Sequence, residues 1–425
     1  MIAICKRIRI FPVVISFALA VATAHAGAEH FPVQKGVLDL SQWNSGEQPV
    51  IALDGEWTFY WGQLLHATDL AEKRFEYAQL SVPWNEQEIG GKYYPRDGFA
   101  TYVLKLTLPR DVKRLSFWMP AVFNTWSLWI DDVNVASAGV VGHDGISTTP
   151  LWKPYVVDID VTRPTIYVSI QIANFQGTRG GCAEIPKISA APYLHETYTQ
   201  YVFTGNALII LFLIVALVGL VIYATSGASA YLAIAFVAVA FIIRFLFSDL
   251  YLANQFTDII PWIVTAKLEY SSISLVILAS CYFIRLTYPI EFSRIIAGIF
   301  IGISCVTLLA VMFLPSALLS VTLVVLQLTG LAFAIVIFIT IIRALYRQRR
   351  GAWLTGLSFF CFAVIGFYNI YAFIAGLDLD RTVIHAGYSL SLILSVVSLN
   401  ARTPMRLREE ALDMLRYEDL YKEKG

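Results

Sequence analysis

Arg244, Lys267, Glu269, Asn369 and His385 interrupt long apolar runs in the second half of the chain. An ionisable side chain in such a run is costly unless it is paired or reaches water, so residues of this kind mark functional positions. If each run is a membrane helix, the helical rise puts all five within roughly 12 Å of one membrane face. Lys267 and Glu269 are two residues apart and cannot face the same way. Glu269 is therefore expected to pair with Arg244, while Lys267 snorkels outward. Separate snorkelling of each residue is the competing expectation.

A second set of chemically capable residues lies in the first half. Trp84-Asn85 and Asn124-Thr125-Trp126 place an amide beside an indole, Trp152 lies near a turn, and Asn174 ends an alternating run. An indole face can stack on a sugar ring while a polar neighbour fixes its orientation. These six are the candidate ligand-binding residues. Trp57, Trp61 and Trp118 read as packing, and core packing is the competing reading for the others as well.

The elements that must position these groups differ between the two halves. The chain is 57% hydrophobic and 15% charged, with zero formal net charge. A typical soluble domain carries about 25% charged residues. The apolar excess is concentrated in seven stretches: Thr204–Ala224, Ser229–Ser248, Trp262–Leu286, Arg294–Leu314, Ala317–Ile342, Ala352–Ala375 and Val383–Leu399. Each is long enough to cross a hydrocarbon core of ~30 Å as a helix. Upstream, Lys6, Arg7 and Arg9 precede the apolar run Ile10–Val21 and the small-x-small site Ala24-His25-Ala26. That is the pattern of a signal peptide over residues 1–26.

Charge then orients the spans. With the first domain exported, the inner loops carry Arg285, Arg294, Arg343, Arg347, Arg349, Arg350, Arg402, Arg406 and Arg408. The outer loops carry Asp249, Asp258, Asp378 and Asp380, with Arg381 as their cation. This is the positive-inside pattern, and it agrees with the signal peptide. The expected location is a bacterial inner membrane, with the N-terminal domain periplasmic and the C-terminus cytoplasmic.

Residues 27–200 read as strands. Tyr102–Leu108 and Thr165–Ile172 alternate cleanly, and Leu115–Met119 and Thr125–Ile130 add shorter runs. Asp131-Asp132 and Gly142-His143-Asp144-Gly145 read as turns. Of five cysteines, Cys182 alone falls in this region, so no disulfide can form within it. Cys281, Cys305 and Cys361 read as buried structural thiols. The expected fold is an all-β jelly-roll or galactose-binding-like sandwich, followed by an all-α seven-helix bundle over 201–400 and a helical tail over 401–425.

The segments Gly36–Leu40, Leu53–Trp61, Val82-Pro83-Trp84, Ala100-Thr101-Tyr102 and Trp129–Asp132 fall in a telling order. They resemble the galactose-binding-like jelly roll at the N-terminus of glycoside hydrolase family two. The pattern is also similar to the sensor domain of bacterial seven-transmembrane receptors with diverse intracellular signalling modules, and that second resemblance covers nearly the whole mature chain. It implies a receptor for a periplasmic small molecule or glycan, acting through a cytoplasmic signalling domain or partner.

The sequence itself carries no Gly-Gly-Asp-Glu-Phe loop, phosphoacceptor segment or nucleotide loop, so no enzymatic activity, cofactor or metal is expected of it. An output domain cut from the chain and a separate output partner both remain open. The expected partners are the lipid bilayer, the periplasmic ligand and the cytoplasmic output, with a second copy of the chain allowed and nucleic acid excluded. The alternatives are a membrane-anchored carbohydrate-binding scaffold and a small-molecule transporter.

Overall fold

The computed structural model describes residues 31–401, apart from residues 48, 71, 72, 123, 178, 183, 184, 249, 258, 316, 317 and 376–380. The expected signal peptide, the tail beyond 401, and Asp249, Asp258, Asp378, Asp380, Arg402, Arg406 and Arg408 lie outside the described residues.

Two sheets form the N-terminal region. The larger runs β4 (Glu76–Gln79), β3 (Glu56–Trp61), β5 (Gly98–Thr107), β10 (Thr165–Asn174), β7 (Thr125–Ile130), β8 (Val133–Ala138). A parallel strand, β1 (Val37–Asp39), shares one edge of β5 with β3. The smaller sheet runs β2 (Val50–Ala52), β11 (Lys187–Ala190), β6 (Arg114–Met119), β9 (Tyr155–Asp160). Alternation along β10 sends Ile166, Val168, Ile170 and Ile172 into one apolar core with Leu104, Leu106, Phe117 and Ile188. Its other face is buried too. Ser169, Gln171 and Ala173 are buried, and Gln171 donates to the Leu65 carbonyl (3.1 Å) and accepts from the Trp129 indole (3.2 Å). The 53–57 turn needs Gly55, whose φ is +124°: a Cβ there would sit 2.3 Å from the Val33 carbonyl oxygen.

The C-terminal region is helical. Its elements are α1 (Tyr193–Ser226), α2 (Ser229–Phe247), the short α3 (Leu252–Phe256), α4 (Trp262–Thr287), α5 (Arg294–Phe313), α6 (Leu319–Tyr346), α7 (Ala352–Ala375) and α8 (Arg381–Asn400). Among the described residues, six helices are long and apolar enough to cross a membrane: α1, α2, α4, α5, α6 and α8. The protein is thus a membrane protein by the length and composition of these helices. Large apolar side chains on the outward faces, such as Phe203, Val221, Val306 and Leu328, are what a lipid-facing surface requires.

Helix α1 departs from its expected span. It starts eleven residues before Thr204 and runs 34 residues without a break, so the boundary drawn at 200 falls inside a helix. Hydropathy marks only the apolar part, whereas the first three turns continue as a polar helix lying on the smaller sheet. There Trp118 meets the rings of Tyr198 and Tyr201, and His195 approaches Asp158. Near its other end Gly219 permits a close crossing with α2, since a Cβ would stand 2.8 Å from the Tyr231 carbonyl oxygen. A second difference concerns the thiols. Cys281 and Cys361 are buried, but Cys305 lies on the exposed face of α5.

Hydroxyls join α7 to α8. Ser358 reaches the Ser391 carbonyl (2.7 Å) and the Ser395 hydroxyl (2.8 Å), Ser391 returns a bond to the Ser358 carbonyl, and Thr355 meets Ser398. Ser391, Ser395 and Ser398 follow helical spacing, so one polar stripe faces α7.

Candidate functional site at the sheet–bundle junction

The sandwich rests on the helices through Trp118, Ala121 and Trp152. Trp152 is buried beside Ala121, Tyr251, Ala266 and the start of α6. Its ring lies against those of Tyr251 (6.1 Å) and Trp262 (5.8 Å). Asn254, almost wholly buried on α3, donates to the Trp152 carbonyl at 2.8 Å and lies 3.5 Å from the Thr265 hydroxyl. The 250–256 segment, which sequence patterning leaves as a plain loop, is therefore the seat for the sandwich.

Tyr251 also faces the bundle. Its hydroxyl donates to Glu269 Oε2 at 3.3 Å, and Arg244 Nη1 stands 4.0 Å from Glu269 Oε1 and 3.4 Å from the Glu269 carbonyl oxygen. Arg244 and Glu269 are thus brought together at the edge of ion-pairing distance. Lys267 turns away and donates to the Met312 carbonyl (2.7 Å) at the end of α5. His385 is separate from this group. It is buried on α8, with Nδ1 2.9 Å from the Thr204 hydroxyl, and it lines a crevice with Gly205, Phe245, Ser248, Leu250 and Leu252 no larger than about one water molecule. Asn369 belongs to α7, and its side chain lies outside the described residues.

A second junction involves α8 directly. The Arg381 guanidinium, at the first residue of that helix, lies 5.5 Å from the Trp118 ring and 5.8 Å from the Tyr201 ring. Lys187 approaches Trp118 as well. A cation held over an indole face is an electrostatic contact worth about 1 kcal/mol. Sequence reading assigned Trp118 to packing and Arg381 to a loop; the chain separation of the two hides the contact.

The remaining candidate ligand residues gather elsewhere, around residues 177–182. Asn85 accepts from the Gly180 N–H (2.8 Å), and Asn124 donates to the Gly181 and Arg179 carbonyls (2.6 and 3.2 Å). Asn174 donates to the carbonyls of Gly177 and Arg96 and accepts from the Gly177 N–H. Trp84 is wholly buried beneath Gly180, with its indole N–H on the Pro95 carbonyl (2.9 Å). Trp126 is also wholly buried and meets Tyr155 edge-on. As placed, neither indole offers a face to a ligand. The amides that would orient a sugar instead fasten the chain, because a backbone running over a buried aromatic floor must have its N–H and C=O groups satisfied. Trp152, at the junction, is likewise enclosed.

No protein-family profile and no curated protein matches the chain. Among solved structures, it is similar to a family 2 beta-galacturonidase from Eisenbergiella tayi bound to galacturonate, with 15% identity, TM-score 0.24, and coverage of 33% of this chain and 24% of that one. A family 2 glycosyl hydrolase from Bacteroides cellulosilyticus gives 14% identity, TM-score 0.26, and 33% and 20% coverage. A beta-glucuronidase from Ruminococcus gnavus in complex with N1-substituted uronic isofagomine gives 11% identity, TM-score 0.27, and 38% and 31% coverage. The chain spans less than a third of the length of each of these enzymes.

Proposed function

We propose that the protein is a transmembrane receptor: a periplasmic jelly-roll domain detects a polar small molecule or glycan, and seven helices carry the signal to a cytoplasmic output. One observation supports this above the others. The sandwich is fastened to the bundle at two separate places, through Trp152 to α3 and α4 and through Trp118 to Arg381 of α8. A displacement of the sandwich therefore acts on the last helix as well as on the middle of the bundle. The order of the short N-terminal motifs, similar to that in bacterial seven-transmembrane receptors, supports the same reading. In it α7 is counted as a seventh span, and the arginine-rich loops lie in the cytoplasm. A ligand shifts such a bundle only by binding one arrangement more tightly than the other.

Orientation is tested with phosphatase fusions: one after Gly376 is expected to be active and one after Arg349 inactive, and the reverse would remove the topology. Coupling is tested in nanodiscs by hydrogen exchange along α8. Trp118→Ala is expected to alter protection at Ser391–Asn400, far from the substitution. An effect confined to the sandwich would favour an anchored scaffold, and solute uptake in proteoliposomes would favour a transporter. A glycan array probed with the full-length protein tests the ligand class, and an array without binders would remove the carbohydrate assignment.

A further inference from the structure

The end of the bundle away from the sandwich carries a polar site that the receptor reading does not use. Glu291 lies in the loop between α4 and α5, with its side chain fully buried. Its Oε1 accepts from Arg349 Nε at 3.0 Å and Arg347 Nη1 at 3.4 Å. Both arginines come from the turn between α6 and α7, and each keeps about half of its side chain exposed. The geometry is set on both sides. Arg285 donates to the carbonyls of Pro289 and Phe292, which orders the loop around Glu291. The Arg349 N–H bonds the Ala344 carbonyl, and Gln348 takes a left-handed φ of 53°, which turns the chain so that residues 347 and 349 converge on one carboxylate.

One carboxylate balances one of two guanidiniums. Across residues 285–294 and 343–350 there are six arginines and one glutamate, a net of +5. A monoanion with several oxygen acceptors, placed on the outward N–H groups of Arg347 and Arg349, closes the local charge and meets the fork geometry of guanidinium. Exposed apolar side chains occur in the same loop and at the adjoining helix ends, next in the chain to Glu291, Arg294 and Arg347. Ile290 is 66% exposed, Ile295 76% and Tyr346 90%. A free anion has no use for such a border, whereas a lipid brings acyl chains to it.

We propose that Arg347 and Arg349, held in place by Glu291, form a headgroup site for an anionic phospholipid, with the phosphodiester between the two guanidiniums and the acyl chains against the apolar border. Basic sites at helix ends are suited to such headgroups. The assignment holds whichever membrane leaflet this end faces.

The test uses the full-length protein in nanodiscs of phosphatidylcholine with and without phosphatidylglycerol, read by native mass spectrometry of retained lipid and by Tm. Wild type is expected to retain phosphatidylglycerol and to gain in Tm. Arg347→Lys/Arg349→Lys keeps both charges and the partner of Glu291, but loses the fork, and is expected to lower retention roughly tenfold. Arg294→Gln removes an exposed arginine unconnected to Glu291 and is expected to leave retention nearly unchanged. Equal losses in the two variants, or none in the lysine pair, would mean diffuse attraction and overturn the site. Displacement by inorganic phosphate at concentrations matching the lipid would reassign it to a free anion, and displacement by a poly-glutamate peptide but not by lipid would reassign it to a protein partner.

Discussion

The two ends of the bundle hold their charges differently. Near the sandwich, Glu269 shares its carboxylate between Arg244 at 4.0 Å and Tyr251 at 3.3 Å, and Tyr251 in turn touches Trp152 of the other region. At the far end, Glu291 is held through Oε1 by two arginines at 3.0 and 3.4 Å, on loops that are themselves fixed by backbone bonds, while its buried Oε2 has no hydrogen-bond partner among the described residues. Long, shared contacts can be exchanged at little cost, while a buried carboxylate with paired guanidiniums resists change. The contrast places compliance at the junction with the sandwich and rigidity at the opposite end.

The largest effect is expected at the rigid end. Glu291→Ala leaves Arg347 and Arg349 without their shared anion and should cost about 2–3 kcal/mol, less than a fully buried pair because both arginines are half in solvent. Burial raises the Glu291 carboxyl, but the hydrogen bonds from Arg349 and Arg347 and the charge of Arg349 outweigh it and hold the group below its ordinary value of 4.5. With a depressed folded-state value, the stabilisation is full above about pH 4.5 and fades as pH falls through the folded-state value. Acid titration of Tm in nanodiscs should show a loss that Glu291→Gln lacks. An identical acid limb in both proteins would remove the contrast.

A smaller effect is expected at the compliant end. Asn254→Ala removes the bond to the Trp152 carbonyl and should cost about 1–2 kcal/mol, detected as faster proteolysis between sandwich and bundle. Arg244→Gln and Glu269→Gln should each destabilise, and the double variant should be milder than their sum by about 0.5–1 kcal/mol. Strict additivity in detergent melts would mean that Arg244 and Glu269 act separately. The smallest effect belongs to Tyr102, wholly buried in the sandwich, whose hydroxyl has no hydrogen-bond partner among the described residues. Tyr102→Phe should be neutral or slightly stabilising. Burial, and then the neighbouring Cys182, raise the Tyr102 phenol above its ordinary value of 10.0. Its contribution is therefore full below about pH 10 and lost as pH rises further, so the Phe variant should tolerate alkali better.

What could be read in the sequence was whatever has a local period. Apart from the start of α1, the apolar helices begin and end within a few residues of the expected spans, and alternation located β5 and β10. Helix α1 was shortened because hydropathy sees lipid-facing residues and not the polar turns Tyr193–Phe203 that continue the same helix. The fate of the indoles was not legible, since a tryptophan near a turn has the same local pattern whether it faces a ligand or, like Trp84, lies under a glycine-rich segment. Glu291 has no local sequence signal, because its partners lie 56 and 58 residues away. The serines of α8 did carry a signal in their spacing, and counting hydroxyls at helical intervals would have found it.

That stripe has a mechanical consequence. Hydroxyl bonds are short-ranged and directional, so α8 cannot glide along α7 by a fraction of a turn without breaking Ser358 and Thr355 from their partners at once. A step of about one turn, ~5.4 Å, is different: Ser395 then stands where Ser398 stood, opposite Thr355. An interface of this kind would resist small slips and admit a one-turn step; a cysteine pair at 355 and 398 is expected to cross-link in the observed register, and a pair at 355 and 395 only if the step occurs.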